Sequence, residues 1–264
     1  RLLAQTLLAD RSLVAVNGKV RTRNWADTLM TRFIAIEFIF FQWIFQGGRW
    51  QLFRLSTLMG TNYVIWRNVL ETLGGFDELS LVDDTEMSFR IFLGQRRIKW
   101  IPYAVGWQQD PGSLQVFLKQ RSRWTQGNFY VTGKYLPIAL TNPFPIGLEI
   151  LNNIMCYVMF VPALILSHMT LILGLLGLAG VTIPGAFTQL WALSFCIYVA
   201  QVFFTLSLEK ERNPQMYFVA VLAYFTYAQI FLLVVFKAAW EMLKGKISGS
   251  ELKWYKTERT QEKK

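Results

Sequence analysis

From residue 136 to residue 208 the chain carries one formally charged side chain, Glu149, and from 213 to 236 it carries none. No other feature restricts the fold as strongly. A helix rises ~1.5 Å per residue, so crossing a hydrocarbon core of ~30 Å takes about 20 apolar residues. Uncharged runs of that length, rich in Leu, Ile, Phe and Val, are what a bilayer crossing requires and are uncommon in the interior of a soluble protein. The expected spans are 154–176, 190–208 and 217–236, with 146–153 at the interface ahead of the first.

The remainder is different in kind. Up to Tyr135 charges are spread throughout, with 17 Lys and Arg against 10 Asp and Glu. The chain is therefore expected to divide into a folded half, 1–135, and a membrane half, 136–264, that ends in a basic tail. Beginning at Arg1, it reads as part of a longer protein, and its first stretch reads as domain sequence rather than as a leader. The net charge of +10 suits a membrane protein, because Lys and Arg gather on the cytoplasmic side of spans and against anionic headgroups. Nucleic acid is not an expected partner, since the basic residues form no dense tract. Cys156 and Cys196 lie inside apolar stretches without paired spacing, and the lone His168 falls mid-span without evident metal partners. One conflict stands out. Lys210 and Arg212 mark a cytoplasmic loop, yet the basic tail (Lys244, Lys246, Lys253, Lys256) asks for the same side. A single crossing cannot join two cytoplasmic segments, so either one candidate span is re-entrant or the tail is an exception.

In the folded half, 13–20 alternates as a strand, with Asn17-Gly18 as a bulge or turn. An aromatic-rich helix over 31–46 contains Arg32 and Glu37, charges that suit a buried or interfacial helix better than a crossing. A strand over 58–65 precedes a helix over 67–73 that stops at Gly74-Gly75, where glycine supplies the left-handed conformation of a helix end. A helix over 85–93 stops at Gly94, extended segments follow at 98–101 and 104–108, and a helix runs from Ser113 into Val131. Strands alternating with helices imply an α/β sheet.

Two constellations carry chemistry. Asp83-Asp84-Thr85-Glu86 stands where a loop enters a helix. Acids there ordinarily cap the helix and complement its dipole, and Glu86 with Arg90 has the i,i+4 order of a surface ion pair. The competing reading makes one carboxylate a general base, its pKa raised by its like-charged neighbour. In Gln120-Arg121-Ser122-Arg123-Trp124, helical spacing places Gln120, Arg123 and Trp124 on one face. Leu114, Phe117 and Leu118 offer an apolar face for docking. An amide, a guanidinium and an indole together suit a nucleotide sugar: Arg forks onto pyrophosphate, the amide directs hydrogen bonds and the indole covers a sugar ring. An amphipathic interfacial helix with a snorkelling Arg and a belt Trp accounts for the segment equally well when it is taken alone.

Taken in order, Gly60-Thr61-Asn62, Gly74-Gly75-Phe76-Asp77, Asp83-Asp84-Thr85-Glu86 and Gln120-Arg121-Ser122-Arg123-Trp124, followed by apolar spans, resemble the processive family 2 glycosyltransferases. That group contains the cellulose, chitin, hyaluronan and poly-N-acetylglucosamine synthases. The resemblance covers roughly 13–133 by motif and the rest by hydropathy. The family pattern is Thr-Glu-Asp followed later by Gln-x-x-Arg-Trp. Asp84 falls on the catalytic base, with Asp83 in support, and Gln120, Arg123 and Trp124 match the second motif in full. Val82-Asp83 stands where the family has Thr-Glu, a shorter acid beside the base.

The resemblance implies an α/β fold, the second half of a GT-A-type domain, followed by an all-α transmembrane module. It implies an inverting transfer from a UDP-sugar to a growing polysaccharide, coupled to export. Gln120 and Arg123 would hold the donor diphosphate, and Trp124 with Gly60, Thr61 and Asn62 would meet the acceptor. A Mg²⁺ or Mn²⁺ would be held by an Asp-x-Asp that this chain lacks, so the metal ligands and the donor half are expected outside it and the chain alone is expected to be inactive. The resemblance also implies a multi-pass protein of the plasma (inner) membrane with its catalytic part cytoplasmic. Two alternatives stand beside this reading: a non-processive enzyme that glycosylates a lipid, and a non-catalytic transporter or scaffold subunit.

Overall fold

The computed structural model describes residues 1–176 and 186–248. The folded half runs α1 (Leu2–Ala9), β1 (Leu13–Thr22), α2 (Leu29–Phe41), a π-helical segment (Gln42–Gly48), α3 (Arg49–Phe53), β2 (Tyr63–Ile65), α4 (Arg67–Thr72), α5 (Asp83–Leu93), β3 (Arg97–Gln108) and α6 (Leu114–Ala139). A kinked turn (Pro143–Gly147) leads into α7 (Leu148–Asn153), a second π-helical segment (Ile154–Met159) and α8 (Phe160–Leu175). Then come α9 (Ala186–Leu208), α10 (Pro214–Phe225) and α11 (Tyr227–Ser248). The tail beyond Lys253 lies outside the described residues.

Among the described residues the sheet has three strands in the order β2-β1-β3, with β2 antiparallel and β3 parallel to β1. The expected alternation along β1 is replaced by almost continuous burial. Both faces are covered: Val14 and Ala15 join a core with Phe89, Ile91 and Ile98, while Leu13 and Val16 pack with Leu7, Trp50 and Ile101. A central strand with a parallel neighbour and two covered faces has no solvent side to alternate with. Asn17-Gly18 is a bulge rather than a turn, for the register jumps between Asn17 and Lys19. The two extended segments expected around Pro102 form one strand, and the same jump, from Trp100 to Val105, absorbs the proline on this edge.

The strand expected over 58–65 shortens to Tyr63–Ile65. Gly60 (φ +70°) and Asn62 (φ +52°) hold left-handed backbone that no strand contains. The loop ahead of β2 is pinned by side chains instead. The wide turn of the first π-helical segment brings Gln42 to β1 and Gln46 to this loop. Gln42 Nε2 donates to Val20 O (2.9 Å) and Gln42 Oε1 accepts from Val20 N (2.6 Å). Gln46 Oε1 accepts from Ser56 Oγ (2.6 Å) and Thr57 N (3.0 Å).

α5 begins at Asp83, and α6 continues past Val131 to Ala139, its start capped by Ser113 Oγ. The expected division at residue 135 thus falls inside a helix, and Tyr135, Ala139, Ile146 and Ile150 share the core that covers Val14 and Phe89. The expected Glu86–Arg90 pair forms, but not at the surface: Glu86 is 0% exposed. α6 closes over it, with Lys134 Nζ (2.6 Å) and Tyr135 Oη (2.8 Å) donating to Oε1 while Arg90 Nε (2.8 Å) donates to Oε2.

Among the described residues two helices are long and apolar enough to cross a membrane, Leu29–Phe53 and Phe144–Leu166. A third qualifies if α10 and α11, bent by 48°, count as one. The first was expected to be buried or interfacial, and Phe33, Ile34, Ile36 and Ile39 do pack inside the protein against Val202 and Leu206 of α9 and Met216, Val219 and Ala220 of α10. The expected span 217–236 is broken at Thr226. Both flanks of this bent pair bind the folded half. Ahead of α10, Glu209 takes Lys19 Nζ (3.0 Å), Arg21 Nη2 (2.5 Å) and Trp43 Nε1 (2.5 Å). Late in α11, Glu241 Oε2 accepts from Ser122 Oγ (2.7 Å) and Gln126 Nε2 (2.6 Å). Glu209, next to Lys210, and Glu241, one turn ahead of Lys244, are thus bonded to one and the same α/β half.

Removing the Glu86 carboxylate takes the acceptor from the buried Tyr135 hydroxyl and breaks the ion pairs to Arg90 and Lys134. Those two keep Leu73 O and Asp77, so the loss is roughly 3 kcal/mol, the low end for a broken buried pair. Glu86→Ala is expected to lower the Tm of the solubilised full-length protein by at least about 5 °C, the scale on which such a loss reads out in a domain of this size. A shift below about 2 °C in a fluorescence-monitored melt would show that Lys134, Tyr135 and Arg90 find water instead.

Candidate active site

Between the end of β3, the loop ahead of β2, the start of α5 and one face of α6 opens a cleft of about 1710 Å³. Its walls include Asp83, Asp84, Gln120, Arg123, Trp124, Gly60 and Thr61, residues singled out from sequence on separate elements. Asn62 is not among them. Its amide donates to Lys19 O (2.9 Å) and Ala104 O (2.8 Å), tying β1 to β3 through a gap that exists because Gly18 and Gly106 have no side chains. Its geometry is that of a pin for the loop carrying Gly60 and Thr61 rather than of a direct ligand contact.

The helix cap at α5 is Val82, without a side-chain cap, so Asp83 and Asp84 occupy the first turn rather than the cap position. Asp83 is exposed and Asp84 is half-buried. Asp84 Oδ1 accepts the amide of Thr85 at 2.8 Å. Its other oxygen faces Gly60, where a Cβ would stand 3.0 Å away, so the loop meets the carboxylate with bare backbone. Burial pushes the Asp84 pKa up to about 6, with the charge of Asp83 adding to it while the Thr85 amide and Arg123 pull the other way. Loss of water, rather than the like charge of Asp83 expected from the sequence, is the larger cause. The Ser88 hydroxyl links the same turn to the loop, accepting from Leu58 N (2.9 Å) and donating to Asp84 O (2.8 Å).

Arg123 reaches across from α6 and donates through Nη1 to Leu81 O (2.7 Å), just ahead of the acidic turn. Burial lowers its pKa, and the carboxylates of Asp84 and Asp83 oppose that. Trp124 packs against the core of the α/β half while lining the cleft. The arrangement sets a carboxylate able to accept a proton near neutral pH opposite a cation, an amide and an aromatic plane, the parts of a group-transfer site with an anionic leaving group.

Three contributors escaped the sequence reading. Asp110, buried in the cleft wall, accepts from Thr22 Oγ1 (2.6 Å) and Gln108 Nε2 (2.8 Å), and burial raises its pKa. Its place directly before Pro111 and the Ser113 cap was the available signal. Arg121 is 6% exposed; its guanidinium lies 4.2 Å from the Trp124 ring centre and its Nη2 donates to Glu37 Oε2 at 2.6 Å. Glu37 had been noticed only as a charge in an apolar helix. Among the described residues no group of three or more His, Cys, Asp or Glu is placed to hold a metal ion. The cleft carboxylates do not form a cation site by themselves.

Residues 10–240 match the family described as Glycosyl transferase family group 2, and the chain belongs to that family. It is an enzyme class that moves a sugar from an activated donor to an acceptor. Over 255 residues the chain is 38% identical to the "Probable glycosyltransferase YdaM" of Bacillus subtilis (strain 168), covering 96% of this chain and 61% of that protein. Over 146 residues it is 25% identical to the "Poly-beta-1,6-N-acetyl-D-glucosamine synthase" of Staphylococcus aureus (strain COL), covering 55% of this chain and 35% of that protein. The chain thus spans under two thirds of the length of either relative.

The two helices of the site touch where Gly127 of α6 faces Val82. A Cβ on Gly127 would stand 2.7 Å from both Val82 methyl carbons, too close without a shift. Overpacking of this kind displaces backbone at a typical cost of about 1–3 kcal/mol. Gly127→Ala is expected to lower sugar transfer by the full-length protein at least about tenfold, because the displacement falls on Asp83 and Asp84. Adding Val82→Ala should restore most of it. A double variant as poor as the single one would mean that this close approach does not set the site.

Proposed function

We propose that the whole protein is a membrane-bound inverting glycosyltransferase that uses a UDP-sugar to extend a polysaccharide, and that this chain supplies the base and the acceptor side of its site. The observation that carries the reading is Asp84, held near a pKa of about 6 in the cleft that also receives Gln120, Arg123 and Trp124. In the proposed step Asp84 takes the proton of the acceptor hydroxyl while that oxygen forms its bond to the anomeric carbon. The bond from that carbon to the UDP oxygen breaks, and UDP leaves with its electron pair. Arg123 and Gln120 stabilise the diphosphate as its charge grows. Trp124 stacks on the acceptor sugar and fixes its line of attack, with Gly60 and Thr61 beside it and Asn62 holding their loop. Asp83, exposed beside it, adds to what keeps Asp84 basic.

Apart from the diphosphate contacts of Gln120 and Arg123, donor binding falls in this proposal to parts of the protein beyond this chain. So does the Mg²⁺ or Mn²⁺ that the resemblance implies, and no step above runs through it. The polysaccharide acceptor is favoured by the synthase among the relatives. A bilayer location, with several crossings and the cleft on the cytoplasmic side, is favoured by the apolar helices and by Lys210 and Arg212 beside Glu209, which is bonded to the folded half. Export of the product would follow from that placement.

Membranes containing the full-length protein, wild type or Asp84→Asn, would be incubated with single radiolabelled UDP-sugars and Mg²⁺ or Mn²⁺. Label should enter polymer from one donor and fall at least about 100-fold in the variant, the usual scale of a lost general base. Label confined to extractable lipid would replace the polysaccharide acceptor with a lipid one. Equal incorporation by the two proteins would remove Asp84 from the chemistry.

The pH profile has a definite sign. Protonated Asp84 cannot accept the acceptor proton, so kcat/KM should rise tenfold per pH unit below about 6 and level off above it. A profile flat between pH 5 and 7, measured at one donor concentration series per pH, would contradict the assignment.

A further inference from the structure

We propose that Glu37 and Tyr227 are positioning residues for Trp124, acting through Arg121, and so help to hold the acceptor sugar. The inference rests on the acceptor role proposed for Trp124, and deepens it.

Arg121 precedes Trp124 by one helical turn, and its guanidinium sits in a box of rings. It lies 4.2 Å from the Trp124 centre, 5.2 Å from that of Phe117 and 5.7 Å from that of Phe38. Cations are attracted to aromatic faces, so the guanidinium restrains the Trp124 ring, which packs on the core and also lines the cleft. What orients the guanidinium is one carboxylate oxygen. Glu37 Oε2 accepts from Arg121 Nη2 at 2.6 Å and from Tyr227 Oη at 2.5 Å. Glu37 belongs to α2, and Tyr227 is the first residue of α11.

The position of Tyr227 gives the contact its interest. Thr226 directly before it leaves helical geometry (φ −122°, ψ −59°), and the two helices diverge there by 48°. The Tyr227 ring packs on Phe33 (5.2 Å) of α2 and Phe117 (5.5 Å) of α6, which holds its hydroxyl at Glu37. Further along, Glu241 of α11 binds Ser122 and Gln126, on either side of Arg123-Trp124. α11 therefore grips the segment that bears the site from both directions. A guanidinium at 6% exposure has few alternative arrangements; among the described residues its ion pair is with Glu37, with Asp110 near enough to interact, and loss of Glu37 frees it to turn away from the indole.

The test uses the full-length protein carrying 5-fluorotryptophan, in detergent, with the Trp124 ¹⁹F resonance assigned by its loss in Trp124→Phe. Tyr227→Phe removes a single hydroxyl and is the mild variant; Glu37→Gln is the severe one. Tyr198→Phe, which removes a hydroxyl that donates to Ala220 O, is the control. The Trp124 line should shift or broaden in both test variants and stay in place in the control. In membranes supplied with the active UDP-sugar, both variants should raise the ratio of UDP released to sugar transferred at least threefold and raise the acceptor KM, with the donor KM unchanged. An unmoved Trp124 line in both variants overturns the proposal, and so does a moved line with an unchanged ratio. If the wild type transfers no sugar, the function proposed above fails, and the ¹⁹F result still decides whether Glu37 and Tyr227 position Trp124.

Discussion

The cleft exists because α5 is held against α6, and a buried carboxylate does much of the holding. Asp83 and Asp84 sit on one helix and Gln120, Arg123 and Trp124 on the other, so their spacing is only as definite as the contact between the two. Glu86, on the turn after Asp83, accepts hydrogen bonds from Lys134 and Tyr135 of α6 while its second oxygen takes Arg90. A carboxylate with no exposure is tolerated when both oxygens are fully bonded, and it then admits few alternative arrangements. Gly127 adds a limit of distance, since its missing side chain lets α6 approach Val82 directly before the acidic turn. One contact sets direction and the other separation.

Within that frame, two adjacent carboxylates acquire different properties. Asp83 faces solvent, while Asp84 is half-buried against the backbone of the Gly60 loop, and burial carries it to a pKa of about 6. The direction follows from a competition: loss of water disfavours the charged form more than the Thr85 amide and Arg123 favour it. A stronger ion pair with Arg123 would make a poorer base. Arg123 spends one donor on Leu81 O, which keeps it at the cleft wall while leaving the carboxylate its proton affinity. The arrangement suits a guanidinium that serves a diphosphate better than one that neutralises an aspartate.

Much of this was legible before the structure, and the remainder was hidden for identifiable reasons. Local signals did well: the strand at β1, the left-handed Gly74 and Gly75, the Ser113 cap and the shared face of Gln120, Arg123 and Trp124 all depend on residues a few positions apart. Readings that needed a distant partner went astray. The Glu86–Arg90 spacing looked like a surface pair because Lys134 and Tyr135, which bury it, lie 48 and 49 residues on. Alternation failed at β1 because coverage of both faces depends on helices elsewhere in the chain. Asn62 looked like a ligand within a motif, yet its amide is used by Lys19 O and Ala104 O, about forty residues away on either side. Glu37 meets Arg121 across 84 residues and Tyr227 across 190, separations at which periodicity carries no information.

Those same long-range pairs change what the apolar helices are for. A helix that only anchored the folded half would meet it through a linker and few polar contacts. Here Glu209 is bound by Lys19, Arg21 and Trp43, Tyr227 shares the carboxylate of Glu37, and Glu241 is bound by Ser122 and Gln126. Polar contacts of this kind are geometrically demanding, because each leaves a desolvated partner if it is broken. The consequence is that α10 and α11 cannot shift by much without disturbing β1 at one end and the Gln120–Trp124 face of α6 at the other. The helices therefore brace the elements that line the site without lining it themselves, and their placement in a bilayer would be felt in the cleft through packed side chains and bonded charges.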